Sequence, residues 1–299
     1  MIRVANAPCS WGVLEFERDA ATAPFAQVLD EIAATGYGGT ELGDWGFMPT
    51  DPARLGEEIA ARALQLVGAF VPIALARADA HAPGMQVAVR TARLMREAGA
   101  ADAVIVLSDD NAAVAAREQR AGRITPADGL DERGWSMFAS GVERVARAVR
   151  EESGLRTVFH PHCGGYVETP AEIDQLLART HASLVGLALD TGHIVYGGGD
   201  PLHVLERYRS RVWHVHFKDC APSVAARARA AGLGYLAAVR EQLFSELGAG
   251  MVNFPSLVEA LQRYEYDGWI VVEQDVFPGG GTPAESAKRS RAYLRRLGL

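Results

Sequence analysis

The chain has only three cysteines, Cys9, Cys163 and Cys220, in 299 residues, and none of them has CxxC spacing. An odd, scattered set does not build a disulfide framework, so a reducing, cytoplasmic setting is expected. No apolar run approaches the roughly 18 residues that a membrane-spanning helix needs. The opening MIRVANAPCSWG lacks the basic and apolar regions of a secretion signal. A soluble protein without a membrane partner is therefore expected. Blocks of like charge are missing too. Net charge is −7, and the nearest thing to a basic cluster, Lys288 to Arg296, is diluted by Ala, Ser and Leu. That reads as a solvated helix face, not a nucleic-acid surface. No GxGxxG follows the first strand-like segment, which counts against a dinucleotide site. No Pro/Ser-rich linker divides the sequence, so one domain over residues 1–299 is expected.

What is present is alternation. Short runs rich in β-branched residues occupy residues 2–7, 39–42, 66–71, 103–107, 157–162, 185–190, 213–217 and 269–273. Between them lie amphipathic stretches at 25–35, 52–63, 87–98, 134–151, 171–178, 202–208, 254–264 and 284–297. Thr169-Pro170, Asp200-Pro201 and Thr282-Pro283 place a capping residue before a proline at the first helical position. Gly36, Gly99, Gly154 and Gly268 fall where a helix must stop. Eight strand–helix units predict an α/β fold of the (β/α)₈ barrel type, with an open doubly wound sheet as the fallback. Residues 220–250 break the rhythm after the seventh strand. They read as a helical insertion that covers the barrel mouth or forms a subunit interface in a homo-oligomer.

In such a barrel the chemistry sits at the C-terminal strand ends. With side chains alternating, His160 and His162 of TVFHPH share one face, as do His214, His216 and Lys218 of VWHVHFKD. Trp213, Val215 and Phe217 fall on the other face, toward the helices. Asp190 ends the sixth strand, with His193 in the turn beyond it. Glu273 and Asp275 reach the mouth from the eighth strand and Glu41 from the second. Imidazole and carboxylate ligands together suit Mn²⁺, Co²⁺, Zn²⁺ or Fe²⁺. Trp11 and Trp45 lie in the first two loops and are candidates to flank a ring-shaped substrate, with Asn6 beside them; plain loop packing is the other reading for the tryptophans. The Gly279–Gly281 run before Thr282 is a candidate anion site.

The stretches NAPCSWGV, GYGGTELGDWG, LVGAFVPI, FHPHCGGYVET, LDTGHIVYGGGDP, VWHVHFKDC and DGWIVVEQD appear in order along nearly the whole chain. Their sequence resembles the xylose isomerase-like superfamily of metal-dependent sugar isomerases, epimerases and dehydratases. The combination of NAPCSWG, ELGDWG and HPHCGG is most similar to the inosose dehydratases within it. The resemblance implies metal ligands from strands five to eight: His160, Asp190, His216 and Glu273. It also implies a divalent ion, with Mn²⁺ or Co²⁺ favoured over Zn²⁺, Fe²⁺ and Mg²⁺. One position departs from the isomerase pattern. Where isomerases and epimerases carry a second acid–base glutamate, this chain has His160. The expectation is therefore dehydration of a cyclic keto-polyol, with Glu273, His193, Lys218, His162 and Glu41 as catalytic candidates. A sugar or ketoacid isomerase or epimerase is the alternative.

Overall fold

The alternating segments form eight parallel strands that close on themselves in a single-domain TIM barrel. The computed structural model describes residues 1–13, 23–111, 113–276 and 282–299. The strands are β1 (Arg3–Asn6), β2 (Gly39–Glu41), β3 (Gln65–Ile73), β4 (Val104–Asp109), β5 (Arg156–Phe159), β6 (Val185–Asp190), β7 (Val212–Phe217) and β8 (Trp269–Val272). Each bonds to its neighbours in sequence, and β1 pairs with β8 from Arg3–Trp269 to Asn6–Val272, which leaves no open edge. The Gly279–Gly281 candidate lies outside the described residues.

Four strands end earlier than expected, β1 and β2 by one residue each, and two of these endings bear on the site. β5 stops at Phe159 and β8 at Val272, so His160, His162 and Glu273 stand just beyond the ladder. The backbone nonetheless continues in register. The His160 N–H donates to Leu107 O at 2.8 Å, and the Glu273 N–H to Phe217 O at 3.0 Å.

The connecting helices are α1 (Phe25–Ala34), α2 (Pro52–Ala60), α3 (Ala78–Glu97), α4 (Ala115–Arg120), α5 (Glu132–Ser153), α6 (Pro170–Arg179), α7 (Thr191–Tyr196), α8 (Pro201–Tyr208), α9 (Pro222–Ala231), α10 (Tyr235–Arg240), α11 (Phe254–Arg263) and α12 (Pro283–Arg296). Thr169 and Glu172 form a reciprocal capping box on α6, and the Asp200 side chain caps α8, as the Thr-Pro and Asp-Pro pairs predict. Thr282 precedes α12 without making a side-chain cap. The third helix begins nine residues earlier than expected and carries Pro83 inside it. A proline this close to the N-terminus removes one intrahelical bond yet does not end the helix. Gly36, Gly99 and Gly154 take positive φ after their helices. Gly268 does not: after α11 that conformation falls to Glu265, at φ 54°.

Outward-facing Val4, Ile105, Leu107, Phe159, Leu187, Leu189, Val215, Phe217 and Ile270 join the helices in the main core. Inside the barrel, Ala5, Val67 and Val271 form one small cluster with Trp269, while Val104, Val106, Val158 and Ala188 form another with Trp213 packed against it. Trp213 was expected on the helix side. A register shift between Leu187 and Ala188 pairs Leu187 with Val212 and Ala188 with His214, so the bulge turns Trp213 inward.

The insertion after β7 is built from α9, α10 and a two-stranded antiparallel ribbon of Asp219–Cys220 with Phe244–Ser245. The Asp219 carboxylate anchors it by accepting the backbone N–H groups of Cys220, Gly248, Gly250 and Val252 at 2.8–3.0 Å. The insertion packs a second apolar cluster around Tyr235, Val239 and Phe244.

Asp109, at the end of β4, ties two loops at the mouth together by accepting the N–H of Leu75 and of Tyr166, both at 2.9 Å. Burial pushes its carboxyl up to about 7, and the two backbone donors offset only part of that. A folded pKa above the unfolded one means that the folded state holds the proton more tightly. This contribution is full below the unfolded value and is lost as pH rises through the folded one. The stability of the wild type relative to Asp109→Asn should therefore fall by on the order of 3 kcal/mol between about pH 4 and pH 7. Urea unfolding across that range checks it; a difference independent of pH contradicts it.

Candidate metal centre and active site

His160, Asp190, His216 and Glu273 converge at the C-terminal mouth, each from a different strand end. One ligand atom from each lies within 4.8 Å of all the others, and all four residues are buried. His160 Nε2 is 3.2 Å from Asp190 Oδ2. His216 Nδ1 is 3.3 Å from Glu273 Oε2 and 3.7 Å from Asp190 Oδ2.

The oxygens of Asp190 divide their work. Oδ1 accepts the His193 N–H at 2.8 Å and so caps α7, which fixes the carboxylate and leaves Oδ2 for the cluster. The imidazole of His216 is fixed in a similar way. Its Nε2 lies 3.0 Å from Glu41 Oε1, which also accepts from His214 Nε2 at 2.8 Å. Glu41 reaches them because β2 shifts register between Thr40 and Glu41, opposite Gly68. A Cβ on Gly68 would stand 2.8 Å from Glu41 Oε1, so only glycine leaves room there.

Burial alone would push these carboxyls up. For Glu41 the imidazoles of His216 and His214 outweigh it, and for Asp190 Lys218 and His193 do, so both stay well below the usual carboxylate range. For Glu273, His216 and Lys218 win, and its pKa is lowered to about 2. Burial likewise opposes a charge on His216, but Glu273 and Glu41 overcome it and raise its pKa well above the ordinary imidazole value.

The donors suit a divalent ion. His216 Nδ1 is buried, makes no hydrogen bond, and faces two carboxylate oxygens. A cation among these groups would compensate the same charges with a neutral imidazole. Glu41 then stands as the carboxylate that orients a ligating histidine.

Lys218 lies above the cluster. Its Nζ is 3.0 Å from Glu273 Oε2, 3.1 Å from Asp275 Oδ2, 3.1 Å from His193 Nε2 and 3.7 Å from Asp190 Oδ2. Its stem crosses Gly192, where a Cβ would come within 2.6 Å of Lys218 Cγ. Burial works against the ammonium, but Asp275, Glu273 and Asp190 outweigh it and raise its pKa. For His162 and His193 burial comes first, neighbouring imidazoles and the Lys218 ammonium add to it, and both pKa values are pushed well down, which favours the neutral rings.

The pocket over the cluster is lined by His160, His162, His216, Glu41, Lys218, Glu273, Asp275, Phe70 and Cys9. His193, expected at the substrate, sits behind Lys218, with its Nδ1 accepting the Cys163 N–H at 3.2 Å. It packs against the Lys218 side chain and does not line the pocket. Trp11 is buried in the main core, and its indole donates to Glu31 at 2.6 Å, so it is a packing residue. Trp45 is partly exposed beneath the Arg90 guanidinium, 3.8 Å from the ring centre, in a neighbouring groove outside the pocket. Asn6 shares the outward parity of Val4, opposite Ala5 and Ala7, and is buried away from the pocket. The sequence brings Asp275 to the mouth beside Glu273 but assigns it no role, and the structure places it in the pocket. Sequence reading missed Tyr235, whose hydroxyl donates to Asp275 Oδ2 at 3.0 Å and whose ring centre lies 5.1 Å from that of His162.

The family profile described as a xylose isomerase-like TIM barrel matches residues 29–297. The chain belongs to the xylose isomerase-like TIM-barrel family. An inosose dehydratase of Lacticaseibacillus casei is 32% identical over 293 residues, covering 98% of this chain and 96% of that one. Another inosose dehydratase, from Clostridium beijerinckii, is 32% identical over 275 residues, covering 91% and 89%. Among solved structures, the probable 3-DHS dehydratase involved in petrobactin synthesis from Bacillus anthracis superposes with a TM-score of 0.70 at 14% identity, covering 99% of each chain. That likeness is one of fold. The buried His/Asp/Glu cluster is of the type found in the xylose isomerase-like family. No helix among the described residues is long and apolar enough to cross a membrane.

Removing Glu41 should disturb the centre without touching the four converging residues. Glu41→Ala is expected to weaken binding of added Mn²⁺ by about 10–100-fold. Calorimetric titration measures this, and unchanged affinity would show that Glu41 does not orient His216.

Proposed function

We propose that this chain is a metal-dependent carbon–oxygen lyase that removes water from a cyclic 2-keto polyol such as 2-keto-myo-inositol (inosose), giving a 1,2-dione. The observation that carries the reading is His160. It occupies the fifth-strand corner of the cluster, so Glu273 is the single glutamate among the four. Proton exchange between two opposed glutamates, the route to epimerisation, lacks its second member. Elimination needs only one base and one acid. The full-length likeness to inosose dehydratases supports the same choice.

His160, Asp190, His216 and Glu273 would hold the divalent ion, which when bound polarises the substrate carbonyl and acidifies the adjacent C–H. Glu273, kept ionised beside the Lys218 ammonium, takes that proton on a carboxylate oxygen. The Lys218 ammonium then donates a proton to the hydroxyl leaving from the next carbon, and water departs. The enol left behind tautomerises to the dione. Glu273 has gained one proton and Lys218 has lost one. Nζ stands 3.0 Å from the nearer oxygen of the Glu273 carboxyl, so proton transfer between the two groups resets both. His162 Nδ1 is 2.8 Å from Cys163 O; with its proton donated there, Nε2 is left as an acceptor for a substrate hydroxyl. Glu41 acts by positioning His216, and His193 packs behind Lys218.

Incubation of the Mn²⁺-loaded protein with inosose should yield the dione and water; accumulation of a stereoisomer alone contradicts the reading. His216→Ala should lose tight metal binding and keep its fold by circular dichroism. Lys218→Ala should keep the metal while kcat falls by roughly 10²–10⁴-fold. A Lys218→Ala enzyme turning over at the wild-type rate would remove Lys218 from the acid role.

A further inference from the structure

Glu273 and Lys218 do not account for Asp275. This carboxylate is 7% exposed and lines the pocket. Oδ2 accepts from Lys218 Nζ at 3.1 Å and from the Tyr235 hydroxyl at 3.0 Å. Ligand atoms of Asp275, Glu273 and Cys9 lie within 4.8 Å of one another. Those three residues do not need a second metal, because the Lys218 ammonium already stands between Glu273 and Asp275. Among the described residues the donors that meet the Asp275 carboxylate all fall on Oδ2, and a polyol supplies a donor for the other oxygen at every hydroxyl.

The second clamp on Asp275 comes from the insertion, which is itself rigidly held. Tyr235 is fully buried at the start of α10. The next residue, Leu236, donates its N–H to Glu118 of α4 at 3.0 Å. Arg123 holds Leu233 O at 2.9 Å on the other side, and Asp219 gathers four backbone N–H groups at the root of the insertion. A phenol fixed in this way locks one oxygen of Asp275, so the carboxylate cannot turn to hide the other. An acceptor held like this rewards a hydroxyl that meets it and is left unpaired by an analogue that lacks one.

We propose that Asp275, clamped by Lys218 and by Tyr235 of the inserted segment, accepts a hydrogen bond from a ring hydroxyl outside the reacting carbons and sets the site's preference for fully hydroxylated rings over deoxy analogues. The proposal rests on the dehydratase reading and names the residue that would select within its substrate class. Tyr235 is a positioning residue here and Asp275 the binding one. In Asp275→Asn the amide oxygen turns to the Lys218 and Tyr235 donors, and the NH₂ faces the pocket, replacing an acceptor by a donor. Tyr235→Phe keeps the ring and frees the carboxylate on one side.

Wild type, Tyr235→Phe and Asp275→Asn, each loaded with Mn²⁺ and checked for metal content, are compared on inosose and on its monodeoxy analogues. Calorimetric binding of myo-inositol is measured in parallel. In the wild type, kcat/KM should fall about 100-fold or more for one deoxy analogue. Asp275→Asn should level that discrimination to within about threefold, and Tyr235→Phe should raise KM about tenfold with kcat within about twofold, metal content being equal in all three. Both variants should bind myo-inositol about tenfold more weakly. Discrimination unchanged in Asp275→Asn, or a loss confined to kcat in Tyr235→Phe, overturns the proposal. If the wild type does not dehydrate inosose, the dehydratase reading fails by itself and the calorimetry still decides here. Weaker myo-inositol binding in both variants upholds Asp275 as the hydroxyl acceptor, whereas equal affinities, or no binding by the wild type, refute it.

Discussion

Four carboxylates buried in one barrel mouth would repel one another and forfeit their hydration, at a cost of several kcal/mol each. Glu41, Asp190, Glu273 and Asp275 persist there because a cation or a donor meets each of them. His214 and His216 face Glu41, His160 and the His193 N–H face Asp190, His216 and Lys218 face Glu273, and Lys218 and Tyr235 face Asp275. This compensation holds the side chains in converging positions, and the chemistry proposed for the site depends on it.

A division of labour follows from having two oxygens, or two ring nitrogens, per side chain. Asp190 spends one oxygen on the start of α7 and presents the other to the cluster. His216 spends Nε2 on Glu41 and presents Nδ1. Asp275 spends Oδ2 on Lys218 and Tyr235. In each case the scaffold-bound atom fixes the direction of the free one, and preorganisation of that kind is the main contribution a protein makes at such a site. The inserted segment extends the same logic above the strands: Asp219 holds its backbone, and through Tyr235 it in turn holds Asp275.

Much of this was legible in the sequence, because strands have period two. Parity turns His160 and His216 inward, strand ends bring Asp190 and Glu273 to the same mouth, and the family resemblance singles out these four as ligands; the ladder continues far enough past Phe159 and Val272 for the placement to survive. Parity failed where a bulge adds a residue, which sent Trp213 inside, and it was not applied to Asn6, whose outward position it gives correctly. The residue type and loop position of Trp11 and Trp45 do not reveal that Glu31 and Arg90 engage their rings. Tyr235 gave no signal at all. It lies in an apolar helical pattern and reaches the site through tertiary packing between α10, α4 and the loop after β5. Pro83 hid the start of α3 for the opposite reason, a strong local breaker overruled by its place near a helix end.

The central claim is that His160 Nε2, Asp190 Oδ2, His216 Nδ1 and Glu273 Oε2 share one metal ion. Anomalous diffraction from crystals of the protein grown with Mn²⁺ tests it directly. A single anomalous peak within coordinating reach of those four atoms is the predicted result. A peak instead between Glu41, His214 and His216, or none under saturating Mn²⁺, would contradict it.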